Sequence, residues 1–171
     1  MLQIEKSVAF SGHRTGKLPK TRDKYKILEK RLKEEIEKSI AKGYDTFIMG
    51  ACYGFDLLAA EMILNRQQTV SIGNGGKIYL IAAVPFEGQA DDFSQTDQDL
   101  YYKVLDQCDE VVTLNPDYRR GCFAERNRWM VDRASHLICY FDGKPSGTGH
   151  TVKYAKKNGL SIVNLYKDVE G

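Results

Sequence analysis

Thr46-Phe47-Ile48-Met49-Gly50-Ala51-Cys52-Tyr53-Gly54-Phe55-Asp56-Leu57-Leu58-Ala59-Ala60-Glu61 is the stretch that decides the fold. A short run with apolar side chains on both faces meets a glycine-bearing polar cluster, then a segment with almost no polar face. That order reads as a buried strand, a tight turn and a helix packed on a sheet. Three other apolar runs stop in the same way, at Ser11-Gly12-His13-Arg14, at Pro85-Phe86-Glu87-Gly88-Gln89 and at Ser146-Gly147-Thr148-Gly149-His150-Thr151. Parallel strands put their C-terminal ends on one edge, and ligands of open α/β sheets bind along that edge. The four clusters are therefore expected to meet in one small-molecule pocket.

Outward from this stretch, candidate strands cover residues 7–10, 46–49, 78–84, 110–114, 137–141 and 162–165, with helical patterns between them. The expected fold class is α/β, with a mainly parallel sheet and helices on both faces in three layers. A first helix over 24–42 carries Leu28, Leu32, Ile36 and Ile40 as one buried stripe, with Glu29/Lys33 and Glu34/Lys38 pairs on its wet side and Gly43 as its cap. The second begins near Phe55, and Glu61 is the exception on its apolar surface. Ser94 and Asp97 form a capping pair ahead of the stripe Leu100, Tyr101, Val104 and Leu105. A fourth helix over 122–134 turns Phe123, Met130, Val131 and Ala134 inward, and a short fifth covers 151–157. Residues 65–76 read as a polar, glycine-rich connection.

A chain of 171 residues, 42% apolar and 28% charged, can bury one full core, so residues 1–171 are read as a single domain. A net charge of +2 gives no general argument for a nucleic-acid partner. Cys52, Cys108, Cys122 and Cys139 are widely spaced and lack zinc-ligand patterns, which points to free thiols and no metal. With no signal segment and no apolar run near the roughly 20 residues that span a bilayer, the expected location is cytoplasmic, without membrane contact.

The polar clusters suggest anion chemistry. Gly147-Thr148-Gly149-His150-Thr151 lies between a strand and a helix, where free amides and the helix dipole bind phosphate. Residues 50–54 repeat that arrangement. Arg14 can contact a phosphate or carboxylate, and His13 is either an acid–base group or a loop-bonded side chain. Asp56 is either a helix cap or a pocket carboxylate, and Glu61 is either a pocket carboxylate with a raised pKa or a partner for an arginine. Phe86 is either a core side chain or one that stacks on a base, whose edge Gln89 could bond. Arg119, Arg120, Arg126, Arg128 and Arg133 gather near the fourth helix. Arg126 shares a face with Phe123 and Met130, so it is expected near the buried side, where an arginine needs an anion. Neither GxxxxGK[ST] nor a GxGxxG after the first strand is present, so no standard nucleotide cofactor is expected.

Taken together, residues 10–14, 50–61 and 85–89, Arg126-Asn127-Arg128-Trp129-Met130-Val131-Asp132 and the Gly147-Thr148-Gly149 turn resemble the YpsA-like branch of the SLOG superfamily. That superfamily groups the DNA-processing protein DprA with the cytokinin-activating LOG enzymes on a Rossmann-like fold. The resemblance implies a nucleotide or nucleotide-derived ligand at the pocket, held by Gly12, His13, Arg14, Gly50, Gly54, Phe55, Asp56, Pro85, Phe86, Gln89, Arg126, Asn127, Gly147, Thr148, Gly149 and Thr151. LOG-type phosphoribohydrolases use an Arg followed by Lys, and a Glu three residues after a Gly-Thr. Here Arg126 matches the Arg, Asn127 replaces the Lys, Thr151 stands where the Glu belongs, and Gly143-Lys144-Pro145 replaces a Pro-Gly-Gly. The expected role is thus a ligand-binding sensor. The alternatives are an N-glycosidic hydrolase with Arg126 and Glu61 as catalytic candidates, where Glu61, Asp56 or Asp142 could substitute for the missing glutamate, and a DprA-like single-stranded DNA binder. Self-association into a homo-oligomer is compatible with all three.

Overall fold

The computed structural model describes residues 2–70 and 76–171. Among them, β1 (Ser7–Gly12), β2 (Thr46–Met49), β3 (Tyr79–Val84), β4 (Glu110–Thr113), β5 (His136–Tyr140) and β6 (Ser161–Asn164) form one sheet in the order β4-β3-β2-β1-β5-β6. Every pairing is parallel, with Ala9 opposite Ile48 on one side of β1 and Leu137 on the other. From β1 the chain steps outward to β4, then crosses back to lay β5 on the opposite side of β1. The winding direction reverses between β1 and β5, and that reversal opens a crevice beyond their C-terminal ends.

Residue alternation along each strand supplies two cores. Val8, Phe10, Phe47 and Leu80 face α1 (Arg22–Ala41), α2 (Phe55–Val70) and α3 (Gln95–Gln107), with α6 (Tyr166–Glu170) at the rim. Ala9, Ile48, Ile81 and Leu137 face α4 (Cys122–Asp132) and α5 (Gly147–Lys157) through Met130, Val131, Val152 and Ala155. The sheet is therefore the middle of three layers, a Rossmann-like α/β fold. Its edge strands β4 and β6 are largely exposed, unlike the four buried inner strands.

Local chemistry sets the helix ends. Thr21 accepts from Lys24 N at 3.3 Å to open α1, and Ser94 accepts from Asp97 N at 3.2 Å to open α3. Two boundaries differ most from the sequence expectation. α2 runs on through Val70, because the polar side chains past Asn65 are tied down: Arg66 pairs with Glu37 of α1 at 2.7 Å, and Gln67 donates to Ile78 O and Asp109. Their polarity marks a wet helix face rather than a loop. The rest of that expected connection, residues 71–75, lies outside the described residues. α5 starts four residues before the expected Thr151, at Gly147, because Ser146 accepts from Gly149 N at 3.1 Å and caps it there. The C-terminal α6 was not anticipated. Cys52, Cys108, Cys122 and Cys139 are free thiols. No described helix is long and apolar enough to cross a membrane.

Candidate functional site

The crevice at the β1/β5 reversal holds a cleft of about 380 Å³. Its first wall is the chain leaving β1. His13 is buried, its Nε2 accepting from the Asp142 amide at 3.0 Å while lying 3.1 Å from Asp142 Oδ1. An acceptor Nε2 belongs to a neutral ring. Burial lowers the His13 pKa against the opposing pull of Asp142, in agreement with that geometry. His13 thus joins the β1 and β5 loops. Arg14 is exposed on the rim, its guanidinium 5.3 Å from the Tyr53 ring centroid, and Lys17 follows it along the same wall.

The second wall is the turn from β2 into α2, which is locked against the first. Phe55 N donates to His13 O at 3.1 Å. Gly54 has φ +100°, and a Cβ there would lie 2.6–2.7 Å from backbone atoms of residues 13–15, so only glycine fits. Ala51, in the same turn, also takes a left-handed φ of 58°, an unfavourable conformation for a side-chain-bearing residue. Asp56, in the first turn of α2, is buried and its Oδ2 accepts from Cys52 N at 3.3 Å. Its carboxyl therefore occupies the start of α2. The sequence reading sets a phosphate at this helix start as well as at Gly147, and the structure places the Asp56 carboxyl there. Burial pushes the Asp56 carboxyl up to about 6, against the lowering pull of Arg126 and the Cys52 amide. Burial likewise raises the Cys52 thiol, so it is not a ready thiolate at neutral pH.

The third wall is the opening turn of α5, where Ser146, Gly147 and Thr148 line the cleft. Ser146 takes the Gly149 amide with its hydroxyl and the His150 amide with its carbonyl. The Gly147 and Thr148 amides precede the first intrahelical bond, which leaves them free to donate forward. A Cβ on Gly147 would meet nothing within 4 Å, so that position faces open space, whereas Gly149 is held close by the Phe141 ring at 3.1 Å. Thr151 turns inward instead, its hydroxyl donating to Gly147 O at 3.1 Å, and is not part of this wall.

Arg126 of α4 forms the floor. It is 5% exposed and donates through Nη1 to Gly50 O and, at 3.5 Å, to Ala83 O, and through Nε to Asn127 Oδ1 at 2.8 Å. A Cβ on Gly50 would fall 2.6 Å from Nη1, so glycine at this position makes the space the guanidinium fills. Among the described residues no carboxylate oxygen comes within 4 Å of Arg126. Burial lowers its pKa and Asp56 opposes that, while Asp56 is itself raised. In both groups desolvation outweighs their mutual attraction, and the groups that take the guanidinium's hydrogen bonds are neutral oxygens. Phe123 stands at the mouth, where its ring meets Phe86 at 5.9 Å and the exposed Tyr118 at 6.4 Å.

Of the residues singled out in the sequence, Gly12, His13, Arg14, Asp56, Arg126, Asn127, Gly147 and Thr148 line the cleft. Others support it from behind. Phe55 is wholly buried against Phe10 and Tyr140, and it occupies the space a Cβ on Gly12 would need, at 2.3 Å. Pro85 is buried, with its carbonyl accepting from Asn115. Gln89 is buried and donates weakly to Gly50 O at 3.4 Å, leaving its Oε1 unpartnered. Phe86 buttresses Phe123 instead of facing the cleft. Glu61 is not a lining residue, because it sits further along α2, where its charge acts on Tyr25 of α1. The acidic group that does line the cleft is Asp56. Sequence reasoning missed Lys17, and it assigned Phe123 and Met130 only to the core. The shared face of Arg126, Phe123 and Met130 was the available signal, since a face that buries an arginine is also a face that meets the cleft.

Residues 8–165 match the model of the YpsA family, described as the YspA SLOG family. The chain is 28% identical over 158 residues to the uncharacterized SPbeta prophage-derived protein YoqJ of Bacillus subtilis, covering 82% of this chain and 88% of that protein. Among solved structures, DNA processing protein A (DprA) of Streptococcus pneumoniae superposes with a TM-score of 0.56 at 17% identity, over 92% of this chain and 49% of that one. The Helicobacter pylori protein of the same name, described for its single-stranded DNA binding mode, gives 0.61 at 16% identity over 94% of this chain and 64% of that one. This chain thus spans about half to two thirds of the length of those solved chains, and the likeness concerns the fold. With the family model matched over nearly the whole chain, the chain belongs to the YpsA family of SLOG proteins.

Proposed function

We propose that this protein binds a nucleotide or nucleotide-derived small molecule at the C-terminal edge of its sheet, in a sensing or regulatory role. The phosphate sits on the Gly147 and Thr148 amides above Arg126, and the base lies toward Phe123 at the mouth. One observation carries this reading: a buried guanidinium without a carboxylate partner and the free opening turn of an eleven-residue helix line the same cleft. Arg14 and Lys17 add positive charge at the rim. The cleft's volume of about 380 Å³ falls within the range of roughly 300–1,000 Å³ usual for small-molecule sites. Titration calorimetry with nucleoside monophosphates and ADP-ribose tests it. Saturable binding that phosphate competes away supports the reading, and no heat across the panel with folded protein overturns it.

A second reading, N-glycosidic cleavage of a nucleotide, is favoured by one feature. Asp56 is a cleft carboxyl with a pKa of about 6, suited to giving a proton to a leaving base near neutral pH. It would take the role expected of Glu61, which lies elsewhere. Release of free base from nucleoside monophosphates, lost in Asp56→Asn, distinguishes an enzyme from a sensor. Binding without turnover decides for the sensor.

A further inference from the structure

The cleft does not close at Gly147. A second hollow of about 590 Å³ opens between α4 and α5, and Phe123, Asn127 and Gly147 line both spaces. The shared residues make one continuous trough running from Arg126 out along α5. Phe123, Ala124 and Tyr154 give the second space an apolar and aromatic lining, and the Tyr154 hydroxyl is tied to Asp132 of α4 at 2.7 Å. Its lining has Arg128, Lys153 and Lys157 and no acidic residue. None of these three cations takes part in an ion pair among the described residues, and both lysines are exposed. Along the helix axis, Lys153 lies ~9 Å and Lys157 ~15 Å beyond Gly147 at 1.5 Å per residue. Positive charge therefore recurs beyond the first anion position, and the flexible lysine stems can bring it back toward a phosphate one nucleotide on, with an aromatic surface between them.

Resting on the nucleotide reading above, we propose that the trough takes a nucleotide bearing two phosphates about one nucleoside apart, the first on Arg126 and the opening turn of α5, the second over Lys153 and Lys157. An intervening base or sugar lies along Phe123 and Tyr154. The size of the trough and the charge of its outer part both exceed what a monophosphate uses. The second phosphate is recognised by exposed ammonium groups, so its contribution is moderate and salt-dependent.

Calorimetry on the full chain with AMP and with 5′-phosphorylated diadenylate tests this. The dinucleotide is expected to bind about tenfold more tightly, as two exposed ion pairs allow. The double variant Lys153→Glu, Lys157→Glu should lose that gain while keeping the AMP affinity and the melting temperature of the parent. Equal affinity for both ligands in the parent overturns the second subsite and leaves the nucleotide reading standing, and so does an equal loss for both in the variant. Absence of binding by either ligand overturns both. Affinity that keeps climbing for an oligothymidylate of about twelve nucleotides overturns the two-phosphate ligand in favour of a strand.

Discussion

Replacing Arg126 by Met keeps most of the buried aliphatic volume and removes the charge. The guanidinium lies in the floor of the cleft with 5% exposure, so a phosphate reaching it gains a charge-assisted contact with little competing water. Hydrogen bonds to charged groups contribute about 1.5–3 kcal/mol, which predicts roughly 10- to 100-fold weaker binding of AMP. A second consequence concerns Asp56. Its carboxyl titrates near 6 in the fold and at 3.8 in the reference state, so between these values the folded protein holds a proton that the unfolded chain releases. Stability from this group is complete below the lower value and falls as pH rises through the upper one, by about 3 kcal/mol. Arg126 restrains that loss by lowering the Asp56 pKa. Arg126→Met should therefore depress the melting temperature more at pH 8 than at pH 5, where Asp56 is protonated. Calorimetric titration with AMP, together with thermal melts at the two pH values, measures both effects. An AMP affinity within twofold of the parent, or a destabilisation larger at pH 5, would refute the reasoning.

Other substitutions separate the remaining parts. Asp56→Asn removes the negative charge from the cleft while its side-chain oxygen can still accept from Cys52 N, so phosphate affinity should rise severalfold at pH 8 and change little at pH 5, where Asp56 is protonated; an unchanged affinity at pH 8 would argue against Asp56 facing the ligand. Gly54→Ala places a Cβ against the backbone of residues 13–15 at a left-handed φ, and urea unfolding should show a loss of at least ~2 kcal/mol; a loss below ~0.5 kcal/mol would mean that the two loops are not locked together. His13 is held neutral, so its ring protons in an NMR titration should show a midpoint below 6.5, with stability from this residue present above pH 6.5 and lost as the pH falls; a midpoint above 6.5 would contradict the neutral, amide-accepting ring.

The fold was legible because its information is local and periodic. Strands apolar on both faces, such as Thr46–Met49, require cover on two sides, and the stripe Leu28, Leu32, Ile36, spaced by four, gives α1 directly. Helix ends were less legible where capping competes with glycine. Gly147-Thr148-Gly149 looks like a turn by propensity, yet Ser146 makes it the first turn of a helix. The site was legible wherever a residue's chemistry restricts its surroundings: Arg126 on an apolar face could not be buried without reaching a polar cleft. Glu61 and Phe86 misled for a common reason. A polar residue on an apolar helix, and an aromatic beside a glycine, are marked by type and not by direction, and direction depends on packing between helices that no local pattern encodes. Glu61 lies outside the cleft lining, where its charge acts on Tyr25, and Phe86 packs edge-on against Phe123. Asp56 carried the stronger signal, since its place in the first turn of α2 fixed it beside the loop from β2, but a helix cap and a cleft acid have the same sequence signature.

The most direct measurement is a high-resolution crystal structure of the protein grown with saturating AMP. The account predicts a phosphate within hydrogen-bond distance of the Gly147 and Thr148 amides and of the Arg126 guanidinium, with the base toward Phe123. A phosphate found instead at the start of α2, or a nucleotide resting on another face of the molecule, would contradict it.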